Sequence, residues 1–370
     1  MSSQRKLSRS EYLYWAKTIP PARFNLATSG IAGLPSGELP FDGDDRELSP
    51  TGGYGYEPLQ QRLAEKCFVA PEHVVPATGA SMANYLAMAA VLEPGDEVLI
   101  EHPAYEPLLA VAGYLGAEIH RFPRLFENNF EVVPEAVRKE VNKRTRLIVL
   151  TNFHNPSGVE TPEATIAELG DIARTVGARV LVDEVYLEMR FDPRVESAFH
   201  LGDEFIVTNS LTKAYGLSGL RCGWVLAERE LAGRIWRLND LFGNIPAHVA
   251  ERLSVAALDS LDSIAARAKG ILGRNRPILD AFLDGRRDLE VVRPASGTIV
   301  FPRLARGDGQ TFARFLRENF DLAVVPGDFF GMPQHFRIGI GGDSEILRAG
   351  LERLSQALDA FAKQVTVHHD

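Results

Sequence analysis

The chain has 370 residues, enough to bury a sizeable core and to divide into a large and a smaller domain. Its 45% hydrophobic and 24% charged content is that of an ordinary globular protein, and a net charge of −9 without any basic run argues against a nucleic-acid partner. No apolar run reaches about 18 residues, so no membrane span is expected.

The two cysteines, Cys67 and Cys222, offer no disulfide framework and fit a reducing, cytoplasmic compartment. The polar opening MSSQRKLSRSEYLYWAK lacks an apolar stretch and is not expected to be a signal peptide. Nine histidines are scattered without ligand spacing, so no metal is expected.

In chain order, residues 1 to about 50 are rich in glycine, proline and polar side chains and read as an arm with little regular structure. Alternation follows. YEPLQQRLAEKC has helical spacing, HVVPATGA is a short strand running into a turn, and SMANYLAMAAVL is an apolar helix. DEVLIEHP, AEIHRFP and TRLIVLTNF read as strands, with the helix AYEPLLAVAGYLG after the first. TPEATIAELGDIARTVG is a helix, with Thr161 expected as its N-cap, Pro162 at its first position and Gly177 past its end. ARVLVDEVY, FIVTNSLTK and LRCGWVLA complete the run of strands.

Strands alternating with helices predict an α/β fold with a mostly parallel sheet covered on both faces. Such sheets bind ligands beyond the carboxyl ends of their strands. Residues 51–245 are assigned to this large domain. Residues 246–370 are assigned to a smaller α+β domain, joined by a long helix over about 246–283.

The informative polar residues fall at the strand ends. In TGAS, a strand ends, Gly79 turns the chain and a helix begins at Ala80 and Ser81; free N–H groups there suit a phosphate, although a plain turn reads the same way. Asn155 precedes a proline in HNPSG, which by itself needs only a turn. Asp183 closes an aliphatic run and should be half-buried, a costly place for a carboxylate without a cation or donor. Tyr186 can face the same site only if the strand ends near Asp183.

Lys213 sits among Ser210, Thr212, Gly216 and Ser218, with no acidic neighbour at helical spacing, and Arg221 follows eight residues later. Beside other cations a lysine amine loses its proton more easily and can form a Schiff base. Arg221 calls for an anion matched to its planar fork, and Ser210 could add a hydroxyl.

One ligand answers all of these groups. It has a phosphate for Gly79, Ala80, Ser81, Ser210 and Arg221, an aldehyde for Lys213 and a ring nitrogen for Asp183. Its phenolic oxygen suits Asn155 and Tyr186. That ligand is pyridoxal 5′-phosphate (PLP).

At this point the sequence resembles the class I/II aminotransferases of the aspartate aminotransferase fold, the fold-type I PLP enzymes. SLTKAYGLSGLRCGW resembles the family's lysine motif, NFHNPSG its N-P-[TS]-G and VDEVY its D-E-x-Y. EHPAY resembles the stretch whose aromatic ring stacks on the cofactor, which falls on Tyr105. HFRIGI resembles the strand whose arginine clamps the substrate α-carboxylate, which falls on Arg337.

The resemblance implies transfer of an amino group between an amino acid and a 2-oxo acid, with Lys213, Asp183 and Tyr186 catalytic. It also implies a homodimer and places Arg337, Asn155 and either Ser29 or Gly30 against the substrate. A lyase, decarboxylase or cyclase of the same fold is the alternative.

The sequence departs from the family at Pro50, where many members carry a tyrosine that reaches the neighbouring subunit's phosphate. Either Tyr54 or Tyr56 replaces it, or the contact is missing. In QHFRIGI, period-two alternation sends Phe336, Ile338 and Ile340 into the small domain and Arg337 the other way. Gly339, Gly341 and Gly342 are expected to leave that second face open to a ligand, and an edge-strand pairing of Arg337 with Asp343 is the plain alternative.

Overall fold

The computed structural model describes residues 9–41, 48, 55–191, 196–243 and 246–367. Its first elements are helix α1 (Glu11–Thr18), strand β1 (Phe24–Asn25) and helix α2 (Glu57–Cys67). The sheet strands then alternate with helices: β2 (Val74–Thr78), α3 (Gly79–Ala89), β3 (Glu97–His102), α4 (Glu106–Leu115), β4 (Glu118–Pro123), α5 (Pro134–Glu140), β5 (Thr145–Thr151), α6 (Glu163–Val176) and β6 (Arg179–Asp183). Strands β7 (Phe205–Ser210) and β8 (Cys222–Leu226) follow.

These seven strands form one sheet in the order β2-β8-β7-β6-β5-β3-β4. All neighbours are parallel except β8, which runs antiparallel to both β2 and β7. The mostly parallel α/β sheet expected from the alternation is therefore present.

Its strands read as continuous aliphatic runs because both faces are covered. Along β6, Val180 and Val182 pack on one side with Leu59, Ile166 and Leu169, while Leu181 packs on the other with Leu86, Leu231 and Ile235. Period two thus divides a single strand between two cores.

The chain continues through α7 (Arg229–Asn239), α8 (His248–Asp259) and α9 (Leu261–Asp284). The single helix expected over 246–283 is two helices: Ser260, at φ −109° and ψ 16°, closes one and opens the next. The last elements are β9 (Leu289–Glu290), β10 (Ile299–Val300), β11 (Arg303–Leu304), α10 (Gly309–Phe320), β12 (Leu322–Ala323), β13 (Val325–Pro326), β14 (Phe336–Gly339) and α11 (Ser344–Val367). Phe336, Ile338 and Ile340 enter a separate core with Leu279, Phe312 and Leu351, the side that alternation assigned to them.

Three local readings need correction. The N-terminal region has regular structure, because α1 is a capped helix and β1 pairs in parallel with β12. Thr161 does not cap α6. The cap position is Pro162, and Thr161 Oγ1 is buried without accepting a helix N–H; Gly177 does close the helix in the left-handed region, at φ +74°. Finally, Gly339 and Gly341 do not keep a face open for ligand. A Cβ on either would collide with the backbone of Thr28 or Gly30, so these glycines admit the N-terminal segment.

Candidate active site

Strands β5, β6 and β7 end side by side at Thr151, Asp183 and Ser210. Beyond these ends lies a cavity of 470 Å³, and Ala80, Ser81, Tyr105, Asn155, Asp183, Tyr186, Ser210, Lys213 and Arg221 all line it. Residues spread over 142 positions of sequence meet because parallel strands deliver their carboxyl ends to one edge.

At one end of the cavity Gly79 opens α3 at φ +75°, a conformation that favours glycine. A Cβ there would strike the guanidinium of Arg221, so the absent side chain leaves room for the cation beside a helix N-terminus. Arg221 makes only long contacts, Nη2 to Thr78 O at 3.4 Å and Nη1 to Ser218 O at 3.5 Å, and remains exposed. It is available to an anion that also meets the first N–H groups of α3.

In the middle, Asp183 is buried with 3% exposure. Asn84 Nδ2 donates to its Oδ2 at 2.7 Å and Val185 N to its Oδ1 at 3.2 Å, and neither donor carries charge. Thr208 Oγ1 donates to Asn84 Oδ1 at 2.6 Å, which fixes which end of the amide faces the carboxylate. Burial pushes the carboxyl of Asp183 up from its ordinary range, partly opposed by these hydrogen bonds and by Lys213.

Lys213 follows β7. Its Nζ donates to Ser29 Oγ at 3.0 Å, and burial holds its amine below the ordinary lysine range, with Arg337 and Arg221 adding to the effect and Tyr12 and Asp183 opposing it. Gly30 packs directly against Lys213, since a Cβ on it would stand 3.4 Å from Lys213 Cα and Cδ. Tyr186 is buried, and its hydroxyl is pushed to higher pKa by burial, with Arg337 pulling the other way.

Arg337 lies on the far side of Asn155. Its Nη1 donates to Asn155 Oδ1 at 2.7 Å and its Nη2 to Tyr12 Oη at 2.8 Å and Ala27 O at 3.2 Å. The side chain is fully buried, and among the described residues no carboxylate touches it and its Nε has no hydrogen-bond partner. The alternative pairing with Asp343 does not occur, because Asp343 accepts from Glu345 N and Ile346 N at the start of α11.

Sequence reasoning missed Tyr12, Asn84 and Thr151. Tyr12 projects from α1, holds Arg337 and meets Tyr105 edge-on at 5.8 Å between ring centroids. Aromatics at helical spacing in EYLYWAK were its signal. Asn84 is the polar residue on the buried face of an otherwise apolar helix. Thr151 accepts the Asn155 N–H at 2.9 Å.

Pro50 and Tyr54 lie outside the described residues. Tyr56 packs edge-on against His248 at 5.0 Å, and Gly55 stands against Trp236. Among the described residues a metal-like cluster, Glu97, Glu118 and His120, lies on β3 and β4, and its last two members are exposed.

The set fits PLP on chemistry. A cradle at Gly79 beside Arg221 suits the phosphate, a depressed lysine amine suits the aldehyde, and a buried carboxylate with only neutral donors suits a protonated pyridine nitrogen. Fold and site together define a PLP-dependent enzyme of fold-type I.

The comparisons make the placement specific: the chain belongs to the aminotransferase class I and II family, whose model matches residues 6–354. It is 32% identical to the capreomycidine synthase of Streptomyces vinaceus over 92% of this chain and 91% of that protein. It is 31% identical to an arginine–pyruvate transaminase of Pseudomonas aeruginosa over 81% and 80%. A PLP-dependent aminotransferase from Streptococcus suis superposes with a TM-score of 0.90 at 28% identity, covering 96% of this chain and 99% of that one. The PLP-dependent cyclase OrfR has the same fold, with a TM-score of 0.82 at 23% identity over 97% and 100% of the two chains.

Proposed function

We propose that the protein is an aminotransferase that moves an amino group between an amino acid and a 2-oxo acid. The observation that carries this reading is Arg337, a buried guanidinium held only by neutral groups. A buried cation without a counter-ion is costly, and a substrate α-carboxylate supplies one in a two-bond geometry.

When bound, PLP supplies an electron sink for the negative charge that develops at the substrate Cα. The chain's own groups do the rest. Lys213 would hold the aldehyde carbon of the group, and its free amine would take the substrate Cα proton and give it back; burial lowers the pKa of that amine and so favours its neutral form. Ser29 Oγ orients the amine. Asp183, oriented by Asn84, keeps the ring nitrogen protonated. Asn155 and Tyr186 hold the phenolic oxygen, Tyr105 stacks on the ring, and Gly79, Ala80, Ser81, Ser210 and Arg221 hold the phosphate. Arg337, with Gly30 and Asn155 nearby, takes the substrate carboxylate. We read residues 1–50 as the arm, 51–245 as the cofactor domain and 246–370 as the small domain, in a homodimer.

A second reading is a cyclase or lyase on the same machinery, favoured by the similarity to capreomycidine synthase. The choice depends on which bond at Cα is broken and what happens to the amino group. Holo-protein is mixed with single amino acids while its visible spectrum and released products are followed. Transamination converts the spectrum to the pyridoxamine form with one 2-oxo acid released per site. A product that keeps its amino group, or a 2-oxo acid released together with free ammonia and without the pyridoxamine form, would establish the second reading instead.

A further inference from the structure

A second cavity, of 1090 Å³, lies behind the strand ends that carry the candidate active site. Consecutive residues separate the two spaces. Asp183 and Ser210 line the 470 Å³ cavity, whereas their chain neighbours Glu184 and Asn209 line the larger one, as alternation along an extended chain requires. Among the described residues none lines both. Trp224 and Leu226 of β8 form the floor of the second cavity, and Leu187, Phe191 and Leu261 give it apolar walls.

Its charges do not balance. Among the described residues that line it, Glu184, Glu188, Glu196 and Asp262 face two lysines, Lys66 and Lys269. Glu196, Asp262 and Lys269 are exposed at the rim. Inside, Lys66 Nζ meets Glu188 Oε1 at 2.7 Å and stands 5.7 Å from the centroid of the Tyr215 ring. Glu188 Oε2 is buried with no hydrogen-bond partner. Glu184 is 2% exposed, and its Oε1 accepts from the neutral Ala198 N at 2.7 Å. Burial pushes that carboxyl up to about 8, opposed by hydrogen bonds from Ala198 and Ser197 and assisted by Glu188 and Asp183. Two carboxylates inside the cavity therefore share one ammonium. A third group is also unspent: Trp224 is fully buried, and its indole N–H, beside the Cys67 sulfur, has no hydrogen-bond partner.

We infer that this cavity is a second ligand site, which takes an organic cation with a ring-sized apolar body and a hydrogen-bond acceptor. The cationic group sits against Glu184 and the free oxygen of Glu188, where its N–H donors make charge-assisted bonds and supply the missing positive charge. The apolar body covers Trp224, Leu187 and Phe191, and the acceptor meets the Trp224 N–H. An anion in the same place meets two carboxylates and is excluded. The inference does not depend on the reaction proposed above, because the two cavities have separate linings.

The test is calorimetric titration of holoenzyme with 4-methoxybenzamidine and with 4-methoxybenzamide, which share a ring and an ether oxygen and differ in charge. The amidinium should bind about tenfold or more tightly than the amide. Glu184→Gln and Glu188→Gln should each weaken the amidinium by about tenfold and leave the amide unchanged, as for loss of one charge-assisted contact. Glu188→Gln also strips Lys66 of its partner, so a second variant guards against misfolding. Ala265→Trp fills the cavity from α9, keeps both acids, and should abolish amidinium binding with the cofactor's visible band unchanged. Equal affinity for the two probes, or no binding of either, overturns the inference. An amidinium Kd that Ala265→Trp leaves as in wild type also overturns it, by placing the probe elsewhere on the protein.

Discussion

Two buried carboxylates stand near the carboxyl ends of β3 and β6, on either side of β5, and their surroundings differ in kind. Glu101 on β3 is paired with Arg124 at 2.8 Å, and both side chains are fully buried. Its other oxygen accepts from Thr151 N at 2.7 Å and Thr151 Oγ1 at 2.8 Å. Asp183 on β6 has neutral donors alone, and the nearby guanidinium of Arg337 has neutral acceptors alone. One nitrogen of each guanidinium is left over, Arg124 Nη2 and Arg337 Nε, so hydrogen-bond count does not separate the two regions. Charge balance does. The first region neutralises itself within the chain, whereas the second holds an acid and a base that wait for a ligand. The regions are also linked, because Thr151, bonded to Glu101, accepts the Asn155 N–H and so steadies the residue that holds Arg337.

If this contrast is right, substitutions in the two regions should fail differently. The largest effect is at the proposed nucleophile. Lys213→Ala should lower kcat by roughly 10⁴-fold or more while the apoprotein keeps its melting temperature. Turnover within tenfold of wild type would remove Lys213 from the chemistry.

Next comes the paired comparison of the carboxylates. Asp183→Asn should lose about 10³-fold in kcat through the ring nitrogen and remain folded. Glu101→Gln leaves Arg124 buried without its counter-ion, which costs about 3–5 kcal/mol and should lower Tm by roughly 4–6 °C, with kcat/KM of the folded fraction within about threefold. The reverse pattern would break the contrast.

On the arginine side, Arg337→Ala should reduce kcat/KM by roughly two to three orders of magnitude with PLP affinity unchanged. Tyr12→Phe removes one neutral acceptor from a charged donor and should cost about tenfold, mainly in KM. A Tyr12→Phe effect on PLP release instead would detach α1 from substrate binding.

The smallest effect is a pH signature outside the site. Burial pushes the Glu251 carboxyl up to about 7. The folded state therefore binds its proton more tightly than the unfolded chain, and the associated stability is present below pH 4.5 and is lost as pH rises through about 7. Glu251→Gln should match wild type at pH 4.5 and melt about 2 °C higher at pH 8. Equal melting at both pH values would place the carboxylate in water.

Much of this was legible from the chain. Aliphatic runs ending in Asp183, in Asn209 and Ser210, and in Thr151 announce buried parallel strands with polar tips, and the lone Lys213 announces a ligand. The N-terminal helix was less legible, because eight residues carry little propensity signal and gain their order from contacts far away in sequence, such as Tyr12 with Arg337 and Ser10 with Glu106. Gly339 and Gly341 were read as open space because sequence shows an absent side chain and cannot show which backbone fills the gap. Asn84 was hidden by its apolar helix, where its fit depends on Asp183 and Thr208 from two separate strands.

The central claim is that PLP is carried on Lys213. Holoenzyme is reduced with borohydride, digested and mapped by mass spectrometry. The account predicts a single pyridoxyl-bearing peptide that contains Lys213, lost in Lys213→Ala. A pyridoxyl group found on Lys17, Lys66 or any other lysine in wild-type protein would contradict it.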